Sequence, residues 1–456
     1  MSTRSTVNNI SSGWIKRSLK TANLGRTVAT ELAKNRVRRI FSDPDTRETL
    51  DEQAKTKIAA LIADKAGRLK GLAMKAGQML SYIDNTLPPA ARQILATLQD
   101  SSPPMDAATV RAIIRAELGK DPDELFVQWD DQPIAAASIG QVHKAVTHDG
   151  IVMAVKVQYP EIREAFDSDF KSLSALGKLL DLLLPGGGSH VIDELRERLG
   201  DECDYRIELR NIEHFRKLFG SKDGVKIPHA YPEYSTERVL ATEFIAAKKF
   251  ADFAETATQA QKDRAGRIIY ELTIQSVWLH HCFNADPHPG NFLFTEDKVV
   301  FLDFGCVKYF PEKFLIGQKR FIKSVLSCDL ARFAEECVEE KLVIRPDGFD
   351  FESFHRGTLV VTHPYAFAED FTFTPAYVQK MTEMVFNKVD TMRLGMPKDL
   401  TMSNRLWFGL YSILATLNAR INAHEIVRPL LYTESETFPK VPRGMMATYV
   451  NRNAKA

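Results

Sequence analysis

Residues 284–305 read NADPHPGNFLFTEDKVVFLDFG, and the reading of this stretch decides the fold. It packs four acidic residues, two asparagines and two prolines into a short span. Asp286 and Asn291 stand five positions apart, and Asp303 closes the strand-like apolar run VVFL. Phosphoryl transfer from a nucleoside triphosphate needs a carboxylate that orients the attacking oxygen. It also needs an amide and a second carboxylate to hold Mg²⁺ on the phosphates. A turn before Pro287 would explain Asp286, and a cap would explain Asn291; neither accounts for Asp303.

Protein kinases set a catalytic Asp and a metal-binding Asn at this spacing, inside a loop that begins His-Arg-Asp. Here Asn284 and Ala285 replace the His-Arg pair, so no Arg precedes Asp286 to receive an activation-loop phosphate. After Gly305 the run CVKYFPEKF reaches Pro311 and Glu312 almost at once. That leaves no long segment to cradle a peptide.

Upstream, VMAVKV places Lys156 in an alternating apolar strand, the setting of the lysine that pairs with the α- and β-phosphates. A strand-edge lysine snorkelling to solvent is the plainer alternative. A glutamate on a following helix must hold it. Glu208 is the choice and Glu202 the rival, since residues six apart do not share a helix face. The phosphate-covering loop is expected at AAASIG, with Ala135, Ala136, Ala137 and Ser138 against the nucleotide. Alanine resists φ > 0, so this loop predicts an altered nucleotide grip. Glu243 and Ile245, in RVLATEFI, are the remaining nucleotide-binding candidates. His280, His281, Cys282 and His288 show no zinc-like spacing.

Around this centre the chain changes character twice. From Ile58 to Ile83 apolar residues recur mostly three and four apart, predicting an amphipathic helix. Strand-like runs then flank Asp149-Gly150, a hairpin signal. A helical stretch broken by PGGGS at 185–189 leads to a second helix, expected to run through VIDELRERLGDECDYRIELRNIEHFRKLF. Beyond Gln259 the pattern is mainly helical, interrupted by NFLF and VVFLDF.

The 456 residues suffice for two or three structural units, and 44% hydrophobic with 26% charged residues is ordinary for a soluble globular chain. Five scattered cysteines without a CxxC pair predict a reducing compartment. The first 40 residues carry nine Lys or Arg against Glu31 alone, although the whole chain is only +1. With Trp14, Ile15 and Leu19, this arm suits anionic lipid headgroups, has the look of an organelle transit peptide, and equally suits a solvated terminus. It lacks the interleaved aromatics and the basic body of a nucleic-acid binder, so nucleic acid is excluded as a partner. No run reaches the ~18 apolar residues that span a bilayer, which predicts a soluble or peripheral protein.

Six motifs taken together give a family resemblance over nearly the whole chain. KAGQ (75–78), AAAS (135–138), VMAVKV (152–157), ECDYRIE (202–208), ADPHPGN (285–291) and DFG (303–305) make the chain resemble the UbiB, or AarF-domain, family of atypical kinase-like ATPases. The resemblance implies an α+β, bilobal, atypical protein-kinase-like fold with a helical extension packed over the active site. The expected division is a basic arm and helical extension over 1–105, an N-lobe over 106–245 and a helical C-lobe over 246–456. It also implies that Lys75 and Gln78 lie over the site, with Lys75 paired to Glu202 and Asp204, and that Glu208 partners Lys156. Asp286 would then be catalytic, and Asn291 and Asp303 would hold Mg²⁺ on ATP or ADP. A role in ubiquinone or other isoprenoid-lipid metabolism is implied, with an isoprenoid lipid or quinone precursor and an anionic membrane surface as partners. The location expected is cytoplasmic or peripheral on the reducing side of a membrane, and mitochondrial for a eukaryotic source. A small-molecule, lipid or latent protein kinase, and a non-catalytic nucleotide-binding scaffold, are the alternatives.

Overall fold

The computed structural model describes residues 53, 104–137, 139–160, 162, 200, 202–386, 393–395 and 397–443. The chain divides into two compact units, Met1–Arg206 with Tyr231–Ala241, and Ile207–Ala230 with Thr242–Ala456. Lys75, Gln78, Ser138 and the basic arm lie outside the described residues.

Among the described residues, the first unit is an antiparallel sheet with a helix packed on it. Helix α1 (Ala107–Leu118) starts where the Asp106 carboxylate accepts the Thr109 N–H at 2.8 Å, and stops at Gly119, whose φ of 75° is left-handed. A short helix α2 (Pro122–Leu125) leads into β1 (Phe126–Trp129). Then follow β2 (Ala135–Ala137), β3 (Gly140–Thr147) and β4 (Val152–Gln158). β3 pairs with β4 across the predicted Asp149-Gly150 hairpin, and with β1 and β2 on its other edge. Val110, Ile113 and Ile114 of α1 pack on Met153, Val155 and Val157, which are fully buried. Burying three large side chains of this kind contributes about 1.5–3 kcal/mol each. Since strand side chains alternate, Lys156 falls on the opposite face from Val155 and Val157.

Helix α3 (Tyr205–Phe219) begins in the first unit and runs on into the second. The long helix expected through residues 191–219 is broken at Cys203–Asp204. Asp204 accepts the backbone N–H of Arg206 at 3.0 Å, as a capping side chain does, and so restarts the helix.

In the second unit, β5 (Val225–Lys226) and the end of β6 (Val239–Glu243) precede β7 (Lys248–Lys249), α4 (Phe250–Thr256) and α5 (Gln259–His280). Thr258 and Gln261 form a reciprocal capping box at the start of α5. β8 (Cys282–Asn284), β9 (Phe292–Phe294), β10 (Val299–Phe301) and β11 (Val307–Tyr309) carry the opening stretch. β9 and β10 pair antiparallel, and β8 pairs with β11 so that Asn284 stands opposite Val307. Helices α6 (Glu312–Ser327), α7 (Leu330–Glu339), α8 (Phe351–Ala366), α9 (Pro375–Phe386), α10 (Lys398–Thr416) and α11 (Ala423–Leu431) complete the unit. Two short strands, β12 (Phe371–Thr372) and β13 (Arg420–Ile421), pair among them. The core here is aromatic: Tyr270 and Phe373 are fully buried, with Tyr377 and Tyr411 beside Phe373.

Candidate active site

Asn284 closes β8, and the chain then turns through Asp286, Pro287 and His288 into one 3₁₀ turn, Pro289–Asn291. Three side chains fix this turn. His288 Nδ1 accepts the Gly290 N–H at 3.0 Å. Asn284 Oδ1 accepts the Asp286 N–H at 3.0 Å. Asn291 donates from Nδ2 to the Asp286 carbonyl at 2.9 Å, which leaves its own Oδ1 for a cation.

Asp303 lies two residues past the end of β10, in the loop that follows the strand rather than on it. Its Oδ1 accepts the Gly305 N–H at 2.8 Å. Its carbonyl accepts the amide of Asn284 at 2.5 Å, and the Leu302 N–H reaches the Asn291 carbonyl at 3.0 Å. Thus Asp286, Asn291 and Asp303, separate in sequence, are joined through one set of hydrogen bonds. All three line one small pocket, whose apolar wall includes Leu406 and Leu410 of α10.

Glu208, on the first turn of α3, is buried. A Cβ placed on Gly305 would lie 3.3 Å from Asp303 Oδ1 and 3.6 Å from Glu208 Oε2. Two carboxylates therefore border the Gly305 position. Mg²⁺ takes oxygen ligands, commonly one or two carboxylates completed by phosphates and water. Asn291 and Asp303 fit that donor set. No group of three or more His, Cys, Asp or Glu suited to a metal occurs among the described residues. Burial lifts the Cys282 thiol to about 11, so the Cys282 thiolate, the metal-binding form, is disfavoured.

The nucleotide-side candidates are placed as follows. Lys156 sits in the first unit, its ammonium 5.4 Å from the Tyr205 ring centroid, and Glu208 belongs to the second. Ala135, Ala136 and Ala137 form strand β2 instead of a loop, pairing with Val142, Gln141 and Gly140. Extended backbone suits alanine, so the segment is a tight hairpin edge. A Cβ on Gly140 would meet the Val157 carbonyl oxygen at 2.2 Å, so β3 approaches β4 closely there. The Glu243 carboxylate is engaged by Lys226 at 2.7 Å and by the His229 N–H at 3.1 Å. Burial pushes Glu243 up, but these two donors leave it below the ordinary carboxylate range. Its side chain is thus committed, and its backbone N–H donates to the His229 carbonyl at 2.7 Å. Asp204 holds Arg206 through both carboxylate oxygens at 2.8 Å, and the Glu202 carbonyl accepts the Gln158 amide at 3.4 Å.

Three supporting residues escape a reading of the sequence. Asn211 donates to the Phe304 carbonyl at 2.8 Å, and Phe215 packs on the Phe304 ring at 4.9 Å, which ties α3 to the Asp-Phe-Gly turn. Gly409 of α10 meets Pro287: a Cβ there would lie 2.1 Å from Pro287 Cγ. Asn284 is noticeable in sequence only as the residue that replaces a histidine.

Asp286, Asn291 and Asp303 thus form a carboxylate–amide–carboxylate set joined by hydrogen bonds. The ABC1 atypical kinase-like domain matches residues 97–337, and the chain belongs to that family, the UbiB group of atypical kinases. The chain is 32% identical over 387 residues to the atypical kinase coq-8, mitochondrial, of Caenorhabditis elegans, covering 80% of this chain and 50% of that one. It is 27% identical to the atypical kinase COQ8, mitochondrial, of Saccharomyces cerevisiae, covering 81% and 75%. The chain therefore spans about half the length of the worm relative. Among solved structures, the Rv3197–erythromycin complex from Mycobacterium tuberculosis has 29% identity and a TM-score of 0.64, covering 87% of this chain and all of that one.

Proposed function

We propose that this chain binds Mg²⁺-ATP and either hydrolyses it or transfers its γ-phosphoryl group to a small or lipid-like acceptor. The observation that carries this reading is the hydrogen-bonded set of Asp286, Asn291 and Asp303, with Glu208 beside Gly305. In the step proposed, water or an acceptor hydroxyl forms a bond to the γ-phosphorus as the bond to the β–γ bridging oxygen breaks. ADP leaves, and the attacking group gives its proton to Asp286. Asn291 and Asp303 would hold Mg²⁺, which supplies charge neutralisation on the phosphates. Lys156 is assigned to the α- and β-phosphates, Glu208 by the family resemblance to partnering it, and the backbone of Ala135, Ala136, Ala137, Ser138, Glu243 and Ile245 to the rest of the nucleotide.

Protein phosphorylation is disfavoured. β11 and α6 follow Gly305 with no long segment between them, so a peptide has little to dock on. Lys75 and Gln78, with Glu202 and Asp204, are assigned by the family resemblance to a regulatory cover. The relatives named COQ8 support a role in ubiquinone or other isoprenoid-lipid metabolism. Their mitochondrial names support a mitochondrial membrane surface as the place of action in a eukaryote. Among the described residues no helix is long and apolar enough to cross a membrane.

A second reading, phosphorylation of a bulky small molecule, is favoured by the structural relative whose solved complex holds erythromycin. ATP hydrolysis by the purified full chain, measured with and without anionic liposomes and with candidate acceptors, separates these readings. Equal hydrolysis by the wild type and Asp286→Asn would sink the enzymatic reading altogether.

A further inference from the structure

We infer that Asn284 is a positioning residue that sets the distance between the two carboxylates of the centre, an inference that rests on the phosphoryl-transfer reading. Its side chain touches the backbone of both Asp286 and Asp303. Oδ1 accepts the Asp286 N–H at 3.0 Å, while Nδ2 donates to the Asp303 carbonyl at 2.5 Å. The connection closes on itself. Asn291 donates to the Asp286 carbonyl at 2.9 Å, and the Leu302 N–H donates to the Asn291 carbonyl at 3.0 Å. Leu302 is joined to Asp303 by the chain, and Asp303 returns to Asn284. The circuit thus runs through every oxygen-bearing residue assigned to the proton or to Mg²⁺ in the loop.

An asparagine is suited to this place because one planar amide carries an acceptor and a donor a fixed distance apart. β8 contributes the fixed base: Asn284 is held opposite Val307 by the β8–β11 pairing, and the Ala285 N–H reaches the Cys306 carbonyl at 2.8 Å. The side chain therefore works from an anchored backbone, and whatever moves one carboxylate moves the other. The residue pair Asn284-Ala285 has lost the arginine that serves activation-loop control, while keeping a side chain that couples the two acidic segments.

Asn284→Asp divides the two bonds. The aspartate still accepts from the Asp286 N–H but no longer donates to the Asp303 carbonyl, which it faces with a second acceptor. In the full chain, N284D is expected to raise the Mg²⁺ concentration needed for half-maximal ATP binding by about tenfold or more, as loss of a residue orienting a metal ligand does. Turnover at saturating ATP and Mg²⁺ is expected to fall by on the order of a hundredfold, the usual result of a misplaced reacting group. Melting without nucleotide shows what fraction of each variant is folded. If N284D does not fold, Asn284→Ser, which is smaller, uncharged and too short to bridge both backbones, is held to the same expectation.

As a control for the route of the effect, adding N284D to Asp303→Asn should shift the Mg²⁺ midpoint no further than D303N alone. Wild-type Mg²⁺ midpoint and turnover in a folded N284D or N284S would overturn the assignment while leaving the phosphoryl-transfer reading intact. A loss fully accounted for by the unfolded fraction would overturn it in the same way. A wild-type chain that neither binds Mg²⁺-ATP nor hydrolyses it would remove both.

Discussion

The stretch from Asn284 to Gly305 and the strand pair around Lys156 are built on opposite principles. The first is held by polar side chains reaching backbone groups, through Asn284, His288, Asn291 and Asp303. The second is held by apolar alternation, with Met153, Val155 and Val157 fully buried under α1. A glycine approaches each closely, Gly409 of α10 against Pro287 and Gly140 against the Val157 carbonyl. The polar region fixes where charges stand; the apolar region fixes that a strand exists and which way its lysine faces. Damage to the first should therefore appear in turnover, and damage to the second in stability.

The largest expected effect is at Asp286. Asp286→Asn should reduce ATP hydrolysis by on the order of 10²–10⁴-fold, the usual contribution of a positioned base, with nucleotide affinity nearly kept. Isothermal titration beside steady-state hydrolysis checks this, and a parallel loss of binding would show that the residue shapes the pocket instead. Next comes Gly409→Ala, whose added methyl must displace Pro287 and with it Asp286. Turnover is expected to drop at least tenfold, with about 1–3 kcal/mol of stability lost to overpacking. A variant with lowered melting but unchanged turnover per folded molecule would break the contrast.

Gly140→Ala should do the reverse. The methyl meets the Val157 backbone oxygen, so destabilisation of about 1–3 kcal/mol is expected in denaturant titrations. Turnover of the folded fraction should change less than for Gly409→Ala, and the opposite order would reject the comparison. The smallest effect is expected at Tyr270, whose buried hydroxyl finds no hydrogen-bond partner among the described residues. Tyr270→Phe removes an unsatisfied group and should be neutral or stabilising by about 1 kcal/mol. A clear loss of stability would mean that the hydroxyl is bonded to water.

What the sequence reveals depends on the range over which each signal acts. Asp286, Asn291 and Asp303 are legible because their chemistry forces a local spacing, and the β3–β4 hairpin because Asp149-Gly150 prescribes its turn. The break at Cys203–Asp204 is hidden, since charged and apolar residues keep a helical rhythm across it, and only the Asp204 side chain interrupts the helix. Ala135–Ala137 reads as a loop because small residues give no pattern, yet pairing with β3 makes it a strand. Gly409 is illegible for a different reason: its partner Pro287 is more than a hundred residues away, and nothing local marks an approach of that kind. Asn284 is visible only as a departure from a familiar motif, because its two bonds go to backbone atoms, which leave no trace in side-chain identity.

The attachment of Phe304 bears on how the protein could be inhibited. Its ring lies on Phe215, its carbonyl receives Asn211, and the carbonyls of nearby Asp303 and Cys306 receive Asn284 and Ala285. A compound that gains its affinity by prising the phenylalanine out of the core would have to break all of these contacts at once. Compounds that bind without moving that ring leave them untouched. Selective ligands for this chain are therefore best sought among the second kind.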